Sequence, residues 1–364
     1  MTATDPGRSR VPAPGVVDTA DEVDPQWLTA ALNSSGVAAT VRQVTAERVG
    51  TGQMGSCSRL FVDYADGTGP DRLIIKLPAT DANSRAAGTL SYRCETSFYR
   101  DYAHRIGARL PHCYYVAADA ESNAFTLLLE DLAPAEQGDQ IAGCTVDEAL
   151  AAAVNVAGLH ASTWNDPAVR ELDWLIPDLT AMPEFAAGLL AKATEQFLQR
   201  YTLSPETAAV LQRFSDEFMT WATGRREPFA LLHGDYRLDN LLFAKAGGAD
   251  PVVAVDWQVM STGLPLRDVT LLVAPGLSVP DRRAGERSII EAYHRRLTEL
   301  GITGYSLESC WEDYRYAQFQ GPFVTVLGAL VGQPSERGDR MFTVMAERSA
   351  TAIADLDAFS LLGK

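Results

Sequence analysis

Apolar and polar positions change their pattern near residue 132 of the 364-residue chain. Before that point, short apolar runs alternate with polar residues and are separated by turns rich in glycine and aspartate, which predicts strands. After it, apolar residues recur at helical spacing over long stretches, and one short β-rich segment at 229–257 interrupts them. The chain is therefore predicted to begin with a sheet plus helix and to continue as a mainly helical part with a small β-insert.

The first part is predicted to contain helices at 24–33 and 85–106 and strands at 41–49, 58–64, 72–77, 112–118 and 125–129. The second part is predicted to contain helices at 146–164, 184–201, 205–223, 281–300, 307–331 and 340–356. Residues 1–23 lack the apolar core of a signal peptide and are predicted to form a flexible leader. With a linker near 131–145, the expected domains are 24–132 and 133–364.

Composition narrows the class of protein. Hydrophobic residues make up 46% and charged residues 21%, as in soluble globular proteins, and no apolar run is long enough to span a membrane. A cytoplasmic location is therefore expected. The net charge of −16 disfavours binding to nucleic acid or to anionic membranes. The acidic excess lies mainly after residue 132, which fits either a cationic substrate or a solvated acidic surface.

Cysteine and histidine usage bears on metals and disulfides. The five cysteines and five histidines are scattered and form no C-x-x-C pair, so neither a disulfide framework nor a zinc site is indicated. Any metal would have to be held by oxygen ligands, which favours magnesium.

The β-rich segment carries the most informative residues, LLHGDYRLDNLLF at 231–243 followed by VVAVDWQ at 252–258. Asp235 and Asn240 are five residues apart across a turn, so both can face one cleft. Asp256 ends an apolar strand, where a lone carboxylate is costly unless it is paired or metal-bound. Oxygen atoms of Asn240 and Asp256 would suit octahedral Mg²⁺ and leave Asp235 to accept a proton. Taken singly, the three residues could instead form an Asx-turn or a strand-end cap.

A glycine-rich segment lies in the first part, where Gly50, Gly52 and Gly55 match G-x-G-x-x-G. This motif occurs in dinucleotide-binding Rossmann folds and in the nucleotide-covering loop of kinases. A Rossmann loop must lead into a helix, whereas here it leads into the alternating pattern SRLFVDY. The following element is therefore predicted to be a strand, and the Rossmann fold is excluded.

The motif H-G-D-x-x-x-x-N followed by a strand ending in D-W-Q resembles the aminoglycoside phosphotransferase and choline kinase superfamily. It is closest to the ecdysteroid-kinase-like branch and to the phosphotransferase-like domain attached to some acyl-CoA dehydrogenases. The resemblance implies an α+β, bilobal, protein-kinase-like fold with Asp235 as catalytic aspartate and Asn240 and Asp256 as Mg²⁺ ligands. By the same resemblance, His233 would orient this loop by hydrogen bonding. Asp268, in GLPLRDVTLL, is expected to have a similar structural role at the start of a helix.

The resemblance also assigns roles in the first part. Lys76, within the apolar run RLIIKLP, would hold the α- and β-phosphates of ATP, and Glu95 on the following helix would position it. Glu130 and Leu132 would bind adenine through main-chain atoms at the junction of strand and linker. From the residues alone, Lys76 could equally reach water from a strand, and Glu95 could be an exposed helix charge.

No A-P-E motif or activation segment follows Asp256, which disfavours a protein substrate. The predicted function is therefore ATP- and Mg²⁺-dependent transfer of the γ-phosphate to a small-molecule hydroxyl. The acceptor could be an aminoglycoside, a choline-like amine, a sugar, a sterol-like alcohol or a hydroxyacyl thioester. The alternative is a nucleotide-binding regulatory module without catalytic activity.

Overall fold

The computed structural model describes residues 13–50, 55–245 and 250–363, and the chain divides into two compact units. The first unit consists of the described residues of Met1–His104 and Pro111–Leu132. The second consists of Arg105–Leu110 and the described residues of Ala133–Lys364.

The first unit contains an antiparallel sheet and three short helices. Its elements are α1 (Pro25–Ser34), β1 (Ala39–Val49), β2 (Gly55–Gly67), β3 (Arg72–Pro78), α2 (Ala82–Ala87), α3 (Thr89–Ser97), β4 (Cys113–Asp119) and β5 (Ala124–Glu130). The strands form one sheet in the order β1-β2-β3-β5-β4, and each neighbouring pair is antiparallel. Strand β3 is therefore central, with Lys76 paired to Cys57 on one side and to Leu127 on the other.

Helix α1 covers this sheet. The Asp24 side chain caps the helix by accepting the N–H of Trp27, which satisfies one of the free donors of the first turn. Leu28 and Leu32 are fully buried and belong to the same core cluster as Leu73 of β3. The core of the first unit thus lies between one face of α1 and the sheet.

The structure corrects two expectations for this part of the chain. Part of the predicted leader is packed, because Val17 is buried in the same core and its N–H donates to Oγ1 of Thr126 at 2.8 Å. The predicted helix 85–106 is interrupted at Gly88, which ends α2 and precedes α3, in keeping with the low helix propensity of glycine. A π-helical turn at Phe98–Tyr102 follows α3.

The second unit begins again at Ala133 and also includes Arg105–Leu110. The reason is a set of contacts made by Arg109. Its main chain accepts the N–H of Ala254 and bonds to the Asn155 side chain, and its guanidinium lies 2.7 Å from Asp250.

The second unit is mainly helical. Its helices are α4 (Val146–Ala161), α5 (Pro183–Arg200), α6 (Pro205–Gly224), α7 (Leu266–Gly276), α8 (Val279–Glu299), α9 (Leu307–Tyr316), α10 (Gln320–Val331) and α11 (Glu336–Asp355). Its strands are β6 (Glu136–Gln137), β7 (Ala230–Leu232), β8 (Leu241–Phe243), β9 (Val252–Ala254) and β10 (Ser261–Gly263). They form two small antiparallel sheets, β6-β8-β9 and β10-β7. The predicted α+β class, with the sheet first and the helices after it, is confirmed.

Two helices differ from the prediction. Helix α7 was not among the helices predicted in full, although Asp268 was expected at a helix start. It is short, and it contains Pro275, a residue that disfavours helix interiors. The predicted helix 307–331 is divided by a 3₁₀ turn at Ala317–Phe319 into α9 and α10. Pro322 then lies in the first turn of α10, where its missing N–H is tolerated.

Aromatic side chains fill the core between α6 and α10. Phe218 stacks on Phe323 with ring centroids 5.6 Å apart, and Phe214 stacks on Phe319 at 5.2 Å. Trp221 contacts all four rings. In the described part of the chain, no helix combines the length and apolarity needed to cross a membrane.

Replacing Phe218 by alanine should lower the free energy of unfolding by about 3–5 kcal/mol, because a fully buried ring is removed from a packed cluster. The control is Phe185→Ala on α5, where the side chain is 63% exposed and the expected change is within about 0.5 kcal/mol. Urea unfolding of both variants measures the difference, and equal destabilisation would contradict this description of the core.

Candidate active site

The H-G-D segment follows β7, and a buried carboxylate holds its main chain. Oδ2 of Asp268 accepts the N–H of His233 at 2.7 Å, and Oδ1 accepts the N–H of Gly234 at 3.1 Å. His160 of α4 places Nε2 3.2 Å from Oδ2 of the same carboxylate. Asp268 stands near the start of α7 and is 2% exposed, so three polar groups satisfy a carboxylate that would otherwise be costly to bury.

Gly234 lets the chain turn sharply before Asp235. Its φ is +84°, in the left-handed region, and a Cβ built there would lie 2.2 Å from the carbonyl oxygen of Val259. Both the backbone conformation and the close approach require glycine.

His233 joins this loop to the strand end that carries Asp256. Its Nε2 lies 3.0 Å from the carbonyl oxygen of Val255, and its ring contacts that of Trp257 with centroids 4.6 Å apart. Since a carbonyl only accepts, Nε2 carries a proton and donates it to this hydrogen bond. The N–H of Val255 donates in turn to the carbonyl of Asn240. The structure thus brings Asn240 and Asp256 to adjoining ends of β8 and β9.

The carboxylate of Asp235 is held in one orientation by two side chains. Nε of Arg237 lies 3.0 Å from both Oδ1 and Oδ2, and Nδ2 of Asn240 donates to Oδ2 at 2.8 Å. The Asp235 side chain is nevertheless 25% exposed. A fixed carboxylate with access to solvent can align a hydroxyl group and accept its proton.

Arg237 is held between two carboxylates. Burial disfavours its charged form, but the negative charges of Asp235 and Asp239 outweigh that effect and raise the pKa of Arg237. For Asp239, burial opposes ionisation, while Arg337 and Arg237 stabilise the carboxylate and lower its pKa overall. Nη1 of Arg237 lies 2.7 Å from Oδ2 of Asp239.

The side-chain oxygens of Asn240 and Asp256 are suitable ligands for a magnesium ion. Because Nδ2 of Asn240 donates to Asp235, Oδ1 is left as an acceptor, and none of the described residues donates a hydrogen bond to it. Asp256 has φ +68°, a left-handed conformation uncommon outside glycine, and Nε2 of Gln258 donates to its Oδ2 at 2.8 Å. One amide and one carboxylate oxygen are a typical protein share of a Mg²⁺ shell that phosphates and water complete.

Over residues 13–50, 55–245 and 250–363, no group of three or more His, Cys, Asp or Glu side chains is arranged to hold a metal. A zinc-type site is therefore not present among these residues. Two oxygen ligands remain compatible with magnesium, which accepts much of its coordination from substrate and water.

The first unit contains the predicted lysine–glutamate pair. Nζ of Lys76, on central strand β3, lies 2.7 Å from Oε2 of Glu95 on α3, and both side chains are largely buried. Gly50 follows β1 with φ +74°, and Gly55 begins β2, so the glycine-rich segment connects two strands as expected. Gly52 lies outside the described residues.

Glu130 and Leu132 stand at the end of the first unit. The N–H of Glu130 already donates to the carbonyl of His112. Within the described chain, no hydrogen bond involves the main chain of Leu132. Of the two residues, Leu132 therefore has the main-chain groups available for a ligand.

Several residues of the site were not identified from the sequence. No role was assigned to Gln258, which bonds to Asp256 two residues before it. The main chain of Val255 connects Asn240 with His233 through contacts that depend on strand pairing. Arg337 contacts Asp239 from a position 98 residues further along the chain, and no local sequence signal marks it. His160 was not singled out either, since a lone histidine on an apolar helix face is most often a core residue.

The profile of the ecdysteroid kinase-like family matches residues 54–303, well over half of the chain. The chain belongs to this family. The match includes Lys76, Glu95 and the segment LLHGDYRLDNLLF at 231–243, and the resemblance identified in the sequence is confirmed. A search of curated proteins gave no match.

Solved structures place this ecdysteroid kinase-like protein in a known fold. The GDP complex of aminoglycoside 2'-phosphotransferase-IIIa matches with a TM-score of 0.55 at 15% identity, covering 90% of this chain and 99% of the other. Choline kinase from Cryptosporidium parvum Iowa II matches with a TM-score of 0.53 at 10% identity, covering 86% and 89%. Macrolide 2'-phosphotransferase type I matches with a TM-score of 0.50 at 17% identity, covering 94% and 98%. The predicted protein-kinase-like fold is confirmed, and family and fold together class the protein as an enzyme of the small-molecule kinase type.

Replacing Gly234 by alanine should destabilise the protein by at least about 2 kcal/mol, because the added Cβ meets a carbonyl in a left-handed conformation. The control is Gly188→Ala inside α5, where a Cβ meets nothing within 4 Å. That variant should be stabilised by about 0.5–1 kcal/mol through helix propensity. Thermal unfolding compares the two, and a neutral Gly234→Ala variant would contradict the geometry given for this loop.

Proposed function

We propose that the protein transfers the γ-phosphate of ATP to a hydroxyl group of a small molecule in a Mg²⁺-dependent reaction. The observation that carries the proposal is the environment of Asp235. This carboxylate is partly exposed, is held by Arg237 and Asn240, and shares the loop with an available amide oxygen of Asn240. Such an arrangement suits phosphoryl transfer, in which positioning and charge neutralisation supply most of the rate.

Asp235 would align the acceptor hydroxyl and take up its proton at a carboxylate oxygen. Because donors from Arg237 and Asn240 already engage the carboxylate, its orientation is set before the acceptor arrives. A prepositioned group of this kind needs little reorganisation in the transition state. His233 would act on the loop and not on the substrate, since both its ring nitrogens bond to main-chain atoms.

Asn240 and Asp256 would hold the magnesium ion through their side-chain oxygens. When bound, the ion would neutralise negative charge on the phosphate oxygens. Gln258 would restrict the Asp256 carboxylate by its hydrogen bond to Oδ2.

Residues of the first unit would bind the nucleotide. Lys76 would contact the α- and β-phosphates, and Glu95 would hold its ammonium group in place by the existing ion pair. The glycine-rich segment that contains Gly50, Gly52 and Gly55 would cover the phosphates. Leu132, and less directly Glu130, would contact adenine through the main chain.

The names of the matched structures give the classes of acceptor to test first. They are aminoglycoside and macrolide phosphotransferases and a choline kinase, and the family name adds steroid-like alcohols. The test is incubation of the protein with Mg²⁺ and ATP and a panel of these alcohols, with phosphorylated product detected by mass spectrometry. Binding of ATP without product from any acceptor, and without ATP hydrolysis, would favour a non-catalytic nucleotide-binding module.

Two variants separate the proposed roles of the carboxylates. Asp235→Asn should bind Mg–ATP with nearly the wild-type Kd but lower kcat by about 10²–10⁴-fold, the range for loss of a general base. Asp256→Ala should lose the Mg²⁺-dependent part of ATP binding together with activity. Calorimetric titration of ATP with and without Mg²⁺ distinguishes these outcomes.

The control for this pair is Asp216→Asn, an exposed carboxylate on α6 that bonds to Gln212. It should bind and turn over as the wild type does. Wild-type turnover by Asp235→Asn would refute the role given to that residue, and equal loss of metal binding in both variants would refute the division of roles.

A further inference from the structure

Four charged side chains of alternating sign extend from Asp235 to the start of α11. Nε of Arg237 bonds to both carboxylate oxygens of Asp235 at 3.0 Å. On its other edge, Nη1 of Arg237 bonds to Oδ2 of Asp239 at 2.7 Å. Asp239 then receives Nη1 and Nη2 of Arg337 at 3.1 and 3.0 Å, one on each oxygen.

Asp239 is the fixed point of this chain of contacts. It is 8% exposed, and its Oδ1 also accepts the N–H of Gln140 at 3.0 Å. A buried carboxylate with a bidentate arginine has both its position and the plane of its two oxygens defined, because two parallel hydrogen bonds restrict rotation. Arg337 thereby limits how Asp239 can move relative to Arg237.

The planarity of the guanidinium transmits this restriction. Arg237 meets Asp235 with Nε and Asp239 with Nη1, and these nitrogens are rigidly joined in one plane. A rotation of Asp239 would therefore tilt Arg237 and displace the donor that sets the Asp235 carboxylate. The Sδ of Met341, also on α11, lies 3.5 Å from Nη1 of Arg237 and packs against the same group.

Among the described residues, Arg337 does not bond to Asp235 directly but to Asp239. It lies in the first turn of α11, after the N-cap Ser335, and its side chain is 55% exposed. Its other charged neighbour is Asp139, 3.7 Å away. An arginine near a helix N-terminus is unfavourable for the helix dipole, so helix stability alone does not account for it.

We propose that Arg337 is a positioning residue for phosphoryl transfer, which acts through Asp239 and Arg237 to hold the Asp235 carboxylate in its reactive orientation. The proposal rests on the function proposed above, and it adds a residue from the C-terminal helix to the catalytic apparatus. It makes the start of α11 a determinant of kcat and not of nucleotide binding.

The first test compares Arg337→Ala with Arg283→Ala. Both arginines are exposed to a similar degree, 55% and 56%, and both pair with a carboxylate, but Arg283 bonds to Asp355 at the opposite end of α11. Rates are measured as ATP hydrolysis in water and as transfer to the best acceptor of the panel. Arg337→Ala should lower kcat about tenfold, as for loss of one charge-assisted contact, with an unchanged Kd for Mg–ADP. Arg283→Ala should keep the wild-type kcat.

A conservative variant adds a second criterion. Arg337→Lys keeps the positive charge but cannot make two parallel hydrogen bonds to Asp239, so it should recover only part of the rate. If Arg337→Ala and Arg283→Ala lose the same free energy of unfolding but only Arg337→Ala has a lower kcat, the loss of rate is due to positioning and not to lower stability. A wild-type kcat in Arg337→Ala would overturn the proposal.

The second test does not depend on activity. In protein labelled with ¹⁵N-arginine, the Nε–H signal of Arg237 is assigned by its loss in Arg237→Lys. This signal should shift or broaden in Arg337→Ala and stay in place in Arg283→Ala, because only the first change releases Asp239. An unchanged signal would overturn the connection between Arg337 and Asp235. If the signal changes in Arg337→Ala but the wild-type protein does not turn over ATP, the proposed function is refuted, while the connection between Arg337 and Asp235 stands.

Discussion

The buried carboxylate of Asp268 is the interaction on which the candidate site depends. A carboxylate removed from water is stable only if its oxygens receive hydrogen bonds, and here the donors are the main-chain N–H groups of His233 and Gly234 and the ring of His160. The hydrogen bonds that stabilise the buried Asp268 carboxylate therefore also fix the backbone just before Asp235. Helix α7, buried on every side, holds the carboxylate in place.

Two residues of the candidate site have a left-handed backbone conformation. Gly234 precedes Asp235 in a left-handed conformation, and Asp256 itself adopts one. Residues other than glycine tolerate such a conformation only where surrounding contacts enforce it, and around Asp256 these are the buried Trp257, the Gln258 side chain and the strand pairing of β8 with β9. Asp256, which is proposed to bind metal, therefore carries backbone strain, whereas Gly234 supplies the turn before Asp235 without strain.

The sequence was sufficient to predict the five strands of the first unit. It also marked the glycine-rich motif and the H-G-D-x-x-x-x-N motif. Strand β3 was predictable because its apolar run is short and bounded by turns. The pairing of Lys76 with Glu95 was expected from the family resemblance. Helix α7 was missed as a full helix because it is short and contains Pro275, which argues against a helix in the sequence. The contacts of Arg337 and His160 join positions far apart in the chain, and neither composition nor spacing encodes which distant side chains meet.

The alternation of charge along Asp235, Arg237, Asp239 and Arg337 constrains how this sequence can diverge. Loss of any inner member leaves a charge of the opposite sign without its partner in a largely buried setting, which is far less tolerable than replacing both. Arg237 and Asp239 are therefore expected to be kept or exchanged together among relatives, while the exposed Arg337 can change at a smaller cost in stability. Covariation between position 239 and position 337, in the first turn of α11, would be the evolutionary trace of the contact between Asp239 and Arg337.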